Sequence, residues 1–489
     1  MLSSLLLFPV LAGLATAVGK PPGHGAPIVT SKALQSTVSG HSLFKHAEAL
    51  SRFAEINGAH TRFAGSIGHN ATVDYIKSTL DKTGYYDTFL QTFTYTFSEG
   101  NVTFSAGGTQ FNAEYLTNAP AGSADAPLVV VSNLGCAASD FPADTAGKIT
   151  LISRGNCTFS NKVALSGAAG AIGAIVYNNA DGPVGSGQLG TTTNPLGPYV
   201  PAGSISGVDG QALVAAVRAG EVTASLQVLA IVEDRFTNNV IATSKLGDKN
   251  NIVFSGGHTD SVPAGPGIND NGSGSMSILE LAVQLSNFSI KNAVRFGFWS
   301  AEEFGLLGSE HYVTSLPTEE QEKIALYLNF DMVASPNFGF FIYDGDGSAF
   351  NVSGPPGSDH IEKTFEDFFA EAGLKSGPTA FDGRSDYGPF LDVGIPSGGL
   401  FTGAEQNKTA EEVKLWSGEA GVPYDICYHQ SCDTTDNLNV PAWIQNTKAI
   451  SHAIATYATS LKGIPRGSGG EIRAIVERTP RLDPRRPTF

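Results

Sequence analysis

Residues 258–282 read HTDSVPAGPGINDNGSGSMSILELA. This stretch sets His258, Asp260 and Asp270 among glycines and prolines and then enters an apolar periodic segment. An apolar β-like run ends at His258, and in open α/β sheets ligands bind just beyond the carboxyl ends of the strands. Asp260, two residues on, is placed to accept the other ring N–H and fix the tautomer. Asp270 stands immediately before a helical pattern, where a carboxylate serves equally well as a cap, in competition with Ser273 and Ser275. Taken alone, the stretch leaves two readings open: a polar turn between strand and helix, or the first half of a metal site.

Three other segments bear on the choice. A β-like run from Ala293 to Trp299 is followed by the adjacent pair Glu302 and Glu303. Neighbouring carboxylates repel unless a cation is near or one pKa rises. One of them can then bind metal while the other stays free as a general base. Asp331 lies in the apolar run IALYLNFDMV, where a charge is costly unless paired or coordinated. Tyr428 and His429 lie between Cys427 and Cys432. His258, Asp270, Glu303, Asp331 and His429 together combine imidazole and carboxylate donors, which suits zinc. Two histidines and three carboxylates suffice for two ions if one carboxylate bridges, the arrangement of two-metal hydrolysis.

The elements around these residues alternate between strand-like and helix-like from about residue 233 to 463, which predicts an α/β layered fold. Upstream, LFKHAEALSRFAEI and ATVDYIKSTLDKTGY have helical spacing, and FLQTFTYTF and NVTFSAGG alternate as strands do. The chain of 489 residues has a net charge of −16 and is 41% hydrophobic. That composition is globular, and its acidity gives no general reason to bind nucleic acid or an anionic membrane. The N-terminus, a short apolar run followed by Ala15-Thr16-Ala17, reads as a secretory signal peptide over residues 1–17. Residues 18–40 read as a flexible leader or propeptide, and 464–489 as a disordered tail. We expect an extracellular protein, with the vacuole as the other destination open to a chain that starts this way.

Export agrees with N-x-S/T sequons at Asn70, Asn101, Asn156, Asn287, Asn351 and Asn407. A seventh, at Asn271, adjoins Asp270 and is expected to be buried and structural. The four cysteines form two local pairs, Cys136 with Cys157 and Cys427 with Cys432. In an oxidising compartment they read as disulfides, with local pairing one of three connectivities. A site made of four cysteines is the rival, but the spacing is unlike that of a zinc ribbon.

Residues 119–232 resemble the protease-associated (PA) domain. The resemblance rests on Gly147, Lys148, Ile149, Arg154, Gly155, Cys157, Phe159, Lys162, Gly173, Tyr177 and Asn178. It implies a mainly-β module, inserted into a catalytic domain made of residues 41–118 and 233–463, that shapes access rather than performing chemistry. The motifs H-T-D-S, N-D-N-x-S-G, W-x-A-E-E-x-G-L-x-G-S, N-x-D-M and Y-H-x-x-x-D resemble the aminopeptidase Y, or M28, family of di-zinc peptidases. Its secreted fungal leucine-type and vacuolar members carry the same insertion.

The fold implied is a mixed central β-sheet flanked by helices, of the phosphorylase/hydrolase-like kind. The resemblance implies a metalloaminopeptidase with two Zn2+ per subunit that releases N-terminal residues, bulky apolar ones such as leucine, from peptides with a free N-terminus. It implies that His258 and Asp331 bind one ion, that Glu303 and His429 bind the other, and that Asp270 bridges. Glu302 would be general base, Tyr428 an oxyanion donor, and Asp260 the orienter of His258. Arg384 resembles an arginine that some relatives place near substrate, and Asp386 of the same segment would support the ligands; a salt bridge or turn is the plainer reading of both. A glutamate carboxypeptidase-like or glutaminyl cyclase-like activity is the alternative. The short stretch after His429 argues against the first, and the complete two-metal ligand set against the second. No nucleic-acid or membrane partner is expected, and the chain is expected to act as a monomer.

Overall fold

The computed structural model describes residues 25–185 and 187–466. The signal peptide, residues 18–24 of the leader and residues 467–489 of the tail lie outside them. The described residues divide into two compact units, one of residues 25–93 and 236–466 and one of residues 94–235.

The larger unit is built on a mixed sheet. Strands Ser397–Phe401, Ile324–Phe330, Asp248–His258 and Asn292–Trp299 run parallel in that order. Antiparallel neighbours close both sides of this core: Phe341–Tyr343 beside Ser397–Phe401, and residues 240–243 beside Asn292–Trp299. Apart from residues 248–251, these central strands are buried along most of their length, as expected of strands covered on both faces. Alternate residues point to opposite layers. Val253, Val294, Phe296 and Phe298 join a core with helices Gly40–Ala54, Ile67–Thr83, Gly272–Leu285, Ser358–Glu371 and Val440–Thr459. Ile252, Phe254, Ala293 and Trp299 join the opposite core with Leu307–Ser315 and Gly388–Asp392.

Helix Gly272–Leu285 packs tightly against the end of a central strand. Its N-cap is Asn271, whose side chain accepts from the Gly274 N–H. A Cβ on Gly274 would stand 2.2 Å from the Phe330 carbonyl oxygen, so only glycine lets the helix come this close. The buried sequon at Asn271 is therefore part of the packing, whereas Asn70, Asn101, Asn156, Asn287, Asn351 and Asn407 are all exposed.

In the smaller unit, Gly122–Val130, Ile149–Ser153, Gly173–Tyr177 and Ala202–Ile205 form a parallel sheet in that order. Helices Phe159–Ala168 and Gly207–Ala219 accompany the strands. Cys136 and Cys157 are joined by a disulfide. The unit begins earlier than residue 119 because Val102, Phe104 and Ala106 are buried in its own core.

Two boundaries of the larger unit also differ from the sequence reading. Residues 25–40 of the expected flexible leader include the helix Ser31–Gln35, with Val29 and Leu34 buried and Ser31 hydrogen-bonded to His452. At the other end, Ile464 is buried and the Arg466 guanidinium donates to the carbonyls of Asn250, Glu322 and Ile324, so the folded body reaches past residue 463.

Candidate metal centre

The parallel strands end flush at one edge. Trp299 pairs with His258 and Asn329 with Gly256, so the residues that follow each strand share one crevice. His258 ends its strand, Asp331 directly follows Ile324–Phe330, and Glu302 and Glu303 sit in the turn after Trp299. Asp270 precedes the Asn271 cap through a cis peptide bond. His429 comes from the loop closed by the Cys427–Cys432 disulfide. Ala301, Met332 and His429 have φ values of 58°, 47° and 57°. Left-handed non-glycine residues cost about 1–3 kcal/mol each and gather at functional sites, where neighbouring structure enforces them.

Five side chains converge into two overlapping groups. His258, Asp270 and Asp331 offer ligand atoms within 4.8 Å of one another, and so do Asp270, Glu303 and His429. Asp270 belongs to both: Oδ1 lies 3.3 Å from His258 Nε2, and Oδ2 lies 3.2 Å from His429 Nε2. His258 Nε2 is 3.4 Å from Asp331 Oδ1, and His429 Nε2 is 3.0 Å from Glu303 Oε2. Glu302 is in neither group but stands beside them, with Oε2 3.8 Å from His258 Nε2.

His258 Nε2, Asp331 Oδ1 and Glu303 Oε1 are buried without a hydrogen-bond partner. Such orphaned polar atoms are expensive in a folded interior. Their convergence, with donors of imidazole and carboxylate type, fits divalent metal ions at both groups.

The electrostatics agree. Burial pushes the Glu302 carboxyl well above its ordinary range, and burial together with the Asp270 charge pushes Glu303 up to about 7. Burial acts on Asp270 in the same sense, but the adjoining imidazoles of His258 and His429 outweigh it and hold that carboxyl below its usual value. Burial opposes charge on His429, yet Asp270 and Glu303 raise it to about 10. Glu302 and Asp331 likewise overcome burial to raise His258. The cluster draws positive charge onto its imidazoles, and dications would supply that charge directly.

The surrounding residues fix the donors. His258 Nδ1 is 3.2 Å from the backbone carbonyl oxygen of Asp260, while the Asp260 carboxylate Oδ1 is 3.7 Å from it. That oxygen accepts from the Glu302 N–H at 3.2 Å. Asp260 therefore faces the histidine with both its main-chain carbonyl and its carboxylate, and the carboxylate also holds the Glu302 backbone. Asp331 Oδ2 accepts from Ser385 Oγ at 2.6 Å. Asp386 is fully buried, and burial pushes its carboxyl up to about 7.

Arg384 is not an isolated surface charge. It donates to both oxygens of Glu405, at 3.0 and 3.3 Å, and at 3.1 Å to the Tyr428 hydroxyl, whose ring stacks on His429. A cleft of about 350 Å³ opens from the cluster, and Met332, Phe341, Tyr343, Phe350, Phe401 and Tyr424 are among its walls.

Several supports escaped the sequence reading. Asp433 accepts from the N–H groups of Asn269 and Asp270 at 2.9 and 3.0 Å. Its signal was present, as the last position of Y-H-x-x-x-D. Asn437 binds Asp433 and Asp425 together. Arg62 is wholly buried and donates to the carbonyls of Thr259, Pro266 and Gly267, which pins the Pro/Gly run between His258 and Asp270. Nothing around residue 62 in the sequence points to that role.

Comparison with known proteins agrees with this geometry. Residues 239–454 match the model of peptidase family M28, and residues 124–213 match that of the PA domain. The chain is 50% identical over 461 residues to the probable leucine aminopeptidase 2 of Aspergillus fumigatus, covering 94% of this chain and 92% of the relative. It is 49% identical to leucine aminopeptidase 2 of Arthroderma otae, covering 90% and 88%. Among solved structures it is similar to the aminopeptidase from Aneurinibacillus sp. strain AM-1, with a TM-score of 0.70, 29% identity, and 88% and 96% of the two chains covered. It is also similar to BSAP, a zinc aminopeptidase from Bacillus subtilis, with a TM-score of 0.59, 26% identity, and 89% and 96% covered. With half of its residues shared along nearly its whole length, the chain belongs to peptidase family M28 and carries a PA domain.

Proposed function

We propose that the chain is a secreted aminopeptidase that binds two zinc ions and releases bulky apolar residues, leucine above all, from the free N-terminus of peptides. The observation that carries this reading is Asp270, which turns one carboxylate oxygen to each of two ligand groups. His258 and Asp331 would complete one site, and Glu303 and His429 the other. The relatives named leucine aminopeptidase support the reaction, and the likeness to the zinc aminopeptidase of Bacillus subtilis supports the metal. The six exposed sequons and two disulfides support export and glycosylation.

Bound at these groups, zinc would supply Lewis-acid charge that polarises the scissile carbonyl and acidifies the attacking water. The residues around it would do the rest. Glu302, next to the cluster yet outside both ligand groups, takes the proton of the water and returns it to the leaving amine. The Tyr428 hydroxyl accepts from Arg384, so its own O–H is free to donate to the oxyanion of the tetrahedral intermediate. The aromatic walls of the cleft suit an apolar first side chain.

The test is zinc analysis joined to a panel of aminoacyl chromogenic substrates, with chelator and zinc add-back. The expected result is two zinc ions per chain and greatest turnover on leucyl substrates, lost on chelation and restored by zinc. Release of C-terminal glutamate, cyclisation of N-terminal glutamine, or full activity with one zinc would overturn it.

A further inference from the structure

A third group of carboxylates lies apart from the ligand cluster and shares no residue with it. The strand Phe341–Tyr343 runs into the loop Asp344-Gly345-Asp346-Gly347-Ser348, and the helix Ser358–Glu371 presents Glu362 to it. Asp344, Asp346 and Glu362 each offer an oxygen within 4.8 Å of the others. Asp344 is 0% exposed and Glu362 8%, while Asp346 faces solvent.

Three carboxylates this close repel one another unless a cation joins them or one of them holds its proton, and burial with the charges of Asp346 and Asp344 already pushes the Glu362 carboxyl up to about 7. Among the described residues, no ion pair supplies one. Lys363, next to Glu362 in sequence, pairs with Glu366 and Asp367 instead. Backbone N–H groups satisfy part of the cluster. Asp344 Oδ2 accepts from Ala349 and Phe350, and Glu362 Oε2 accepts from Gly345 and Asp346. Asp344 Oδ1 is left buried with no hydrogen-bond partner. A wholly buried carboxylate oxygen without a donor, in a group already crowded with negative charge, needs a positive partner.

The donors are oxygen only, with no imidazole or thiolate. That set selects a hard cation, and Ca2+ tolerates irregular carboxylate geometry and takes water at the open side, where Asp346 is exposed. We propose that Asp344, Asp346 and Glu362 bind one Ca2+ that braces the 344–350 loop. The loop leads to the cleft: the N–H of Phe350 is held by Asp344, and the Phe350 side chain lines the cleft wall together with Tyr343. Calcium at this position would set how firmly that wall meets the substrate.

The experiment uses the full-length, zinc-loaded protein exchanged into calcium-free buffer and titrated with CaCl2 by calorimetry, with thermal unfolding followed in parallel. The expected result is one Ca2+ bound per chain and an unfolding temperature that rises with calcium concentration, as ligand linkage requires. Asp346→Asn, at an exposed position where the amide oxygen can still accept from Ser348, should weaken calcium binding at least tenfold and leave zinc content unchanged. Glu362→Gln should do the same. At a calcium concentration near the wild-type dissociation constant, KM for leucyl substrates should fall in the wild type and move little in both variants. Absence of calcium binding by the wild type up to millimolar concentration would overturn the proposal. Undiminished binding in both variants would overturn it as well.

Discussion

Asp433→Ala tests whether the loop carrying Asp270 is aimed by its buried support. Asp433 is 1% exposed and accepts from the N–H groups of Asn269 and Asp270 at 2.9 and 3.0 Å. Alanine leaves both backbone donors short of an acceptor inside the protein, while Asn437 Nδ2 keeps the carboxylate of Asp425. Each lost hydrogen bond to a charged acceptor is worth about 1.5–3 kcal/mol. Relief of repulsion offsets part of that. Burial and the neighbouring Asp425 push the Asp433 carboxyl up to about 7, so the wild-type site already holds a strained negative charge. The low end, about 3 kcal/mol for the pair, is the expected destabilisation of the loop.

Because Asp270 belongs to both candidate ligand groups, the loss would fall on both ions of the proposed two-zinc site. Removal of an outer hydrogen-bond partner typically weakens metal affinity about 10–100-fold, or about 1.4–2.8 kcal/mol. Chelator competition on the purified protein should show both zinc dissociation constants rising within that range. The exposed Asp436→Ala should show no change. Zinc constants within about twofold of the wild type in Asp433→Ala would refute the reasoning, since that margin is only about 0.4 kcal/mol.

Four further outcomes follow from the same geometry. Glu302→Gln should retain its zinc, measured by metal analysis, and lose about 10²–10⁴ in kcat, the usual span for a general base; near-normal turnover would remove Glu302 from the reaction. Tyr428→Phe should lose about 10²–10³ in kcat with KM little changed, as for an oxyanion donor; a KM-only effect in steady-state kinetics would show a binding role instead. Gly274→Ala places a methyl carbon 2.2 Å from the Phe330 carbonyl oxygen, so the helix start must shift. A cost of about 1–3 kcal/mol or more is expected in urea unfolding, with loss of activity. His69 is fully buried, and burial lowers its pKa to about 4. Its folded value lies below its unfolded value, so the unfolded chain binds the extra proton. The stability it confers is complete above about pH 6.5 and drains away as pH falls towards 4. Urea midpoints between pH 7 and 5 should therefore fall less steeply in His69→Gln than in the wild type, and equal slopes would contradict that origin.

The cluster of candidate ligands was legible because such chemistry forces unusual residues into apolar surroundings. Asp331 after IALYLNF and the adjacent pair Glu302-Glu303 break local rules, and a broken rule is readable in one dimension. Whether Asp270 capped or coordinated was not readable. The structure gives capping to Asn271 and leaves Asp270 free for the cluster. The supports were hidden for a different reason. Arg62 reaches carbonyl oxygens about 200 positions away, and a backbone acceptor has no sequence signature.

Asp260 shows the same limit at short range. Its spacing from His258 predicted contact, but could not tell which of its oxygens meets the imidazole. The main-chain carbonyl is the nearer at 3.2 Å, and the carboxylate, 3.7 Å from the same nitrogen, also holds the N–H of Glu302. One residue thereby ties the histidine of one strand end to the glutamate of the next. That coupling explains why the 258–260 turn must be rigid, and Arg62 supplies the rigidity by donating to the Thr259 carbonyl between them. Loss of the Arg62 guanidinium should therefore move His258 and Glu302 together, with metal content and turnover falling in the same variant. Turnover lost at full zinc occupancy in Arg62→Met would show that the two are held independently.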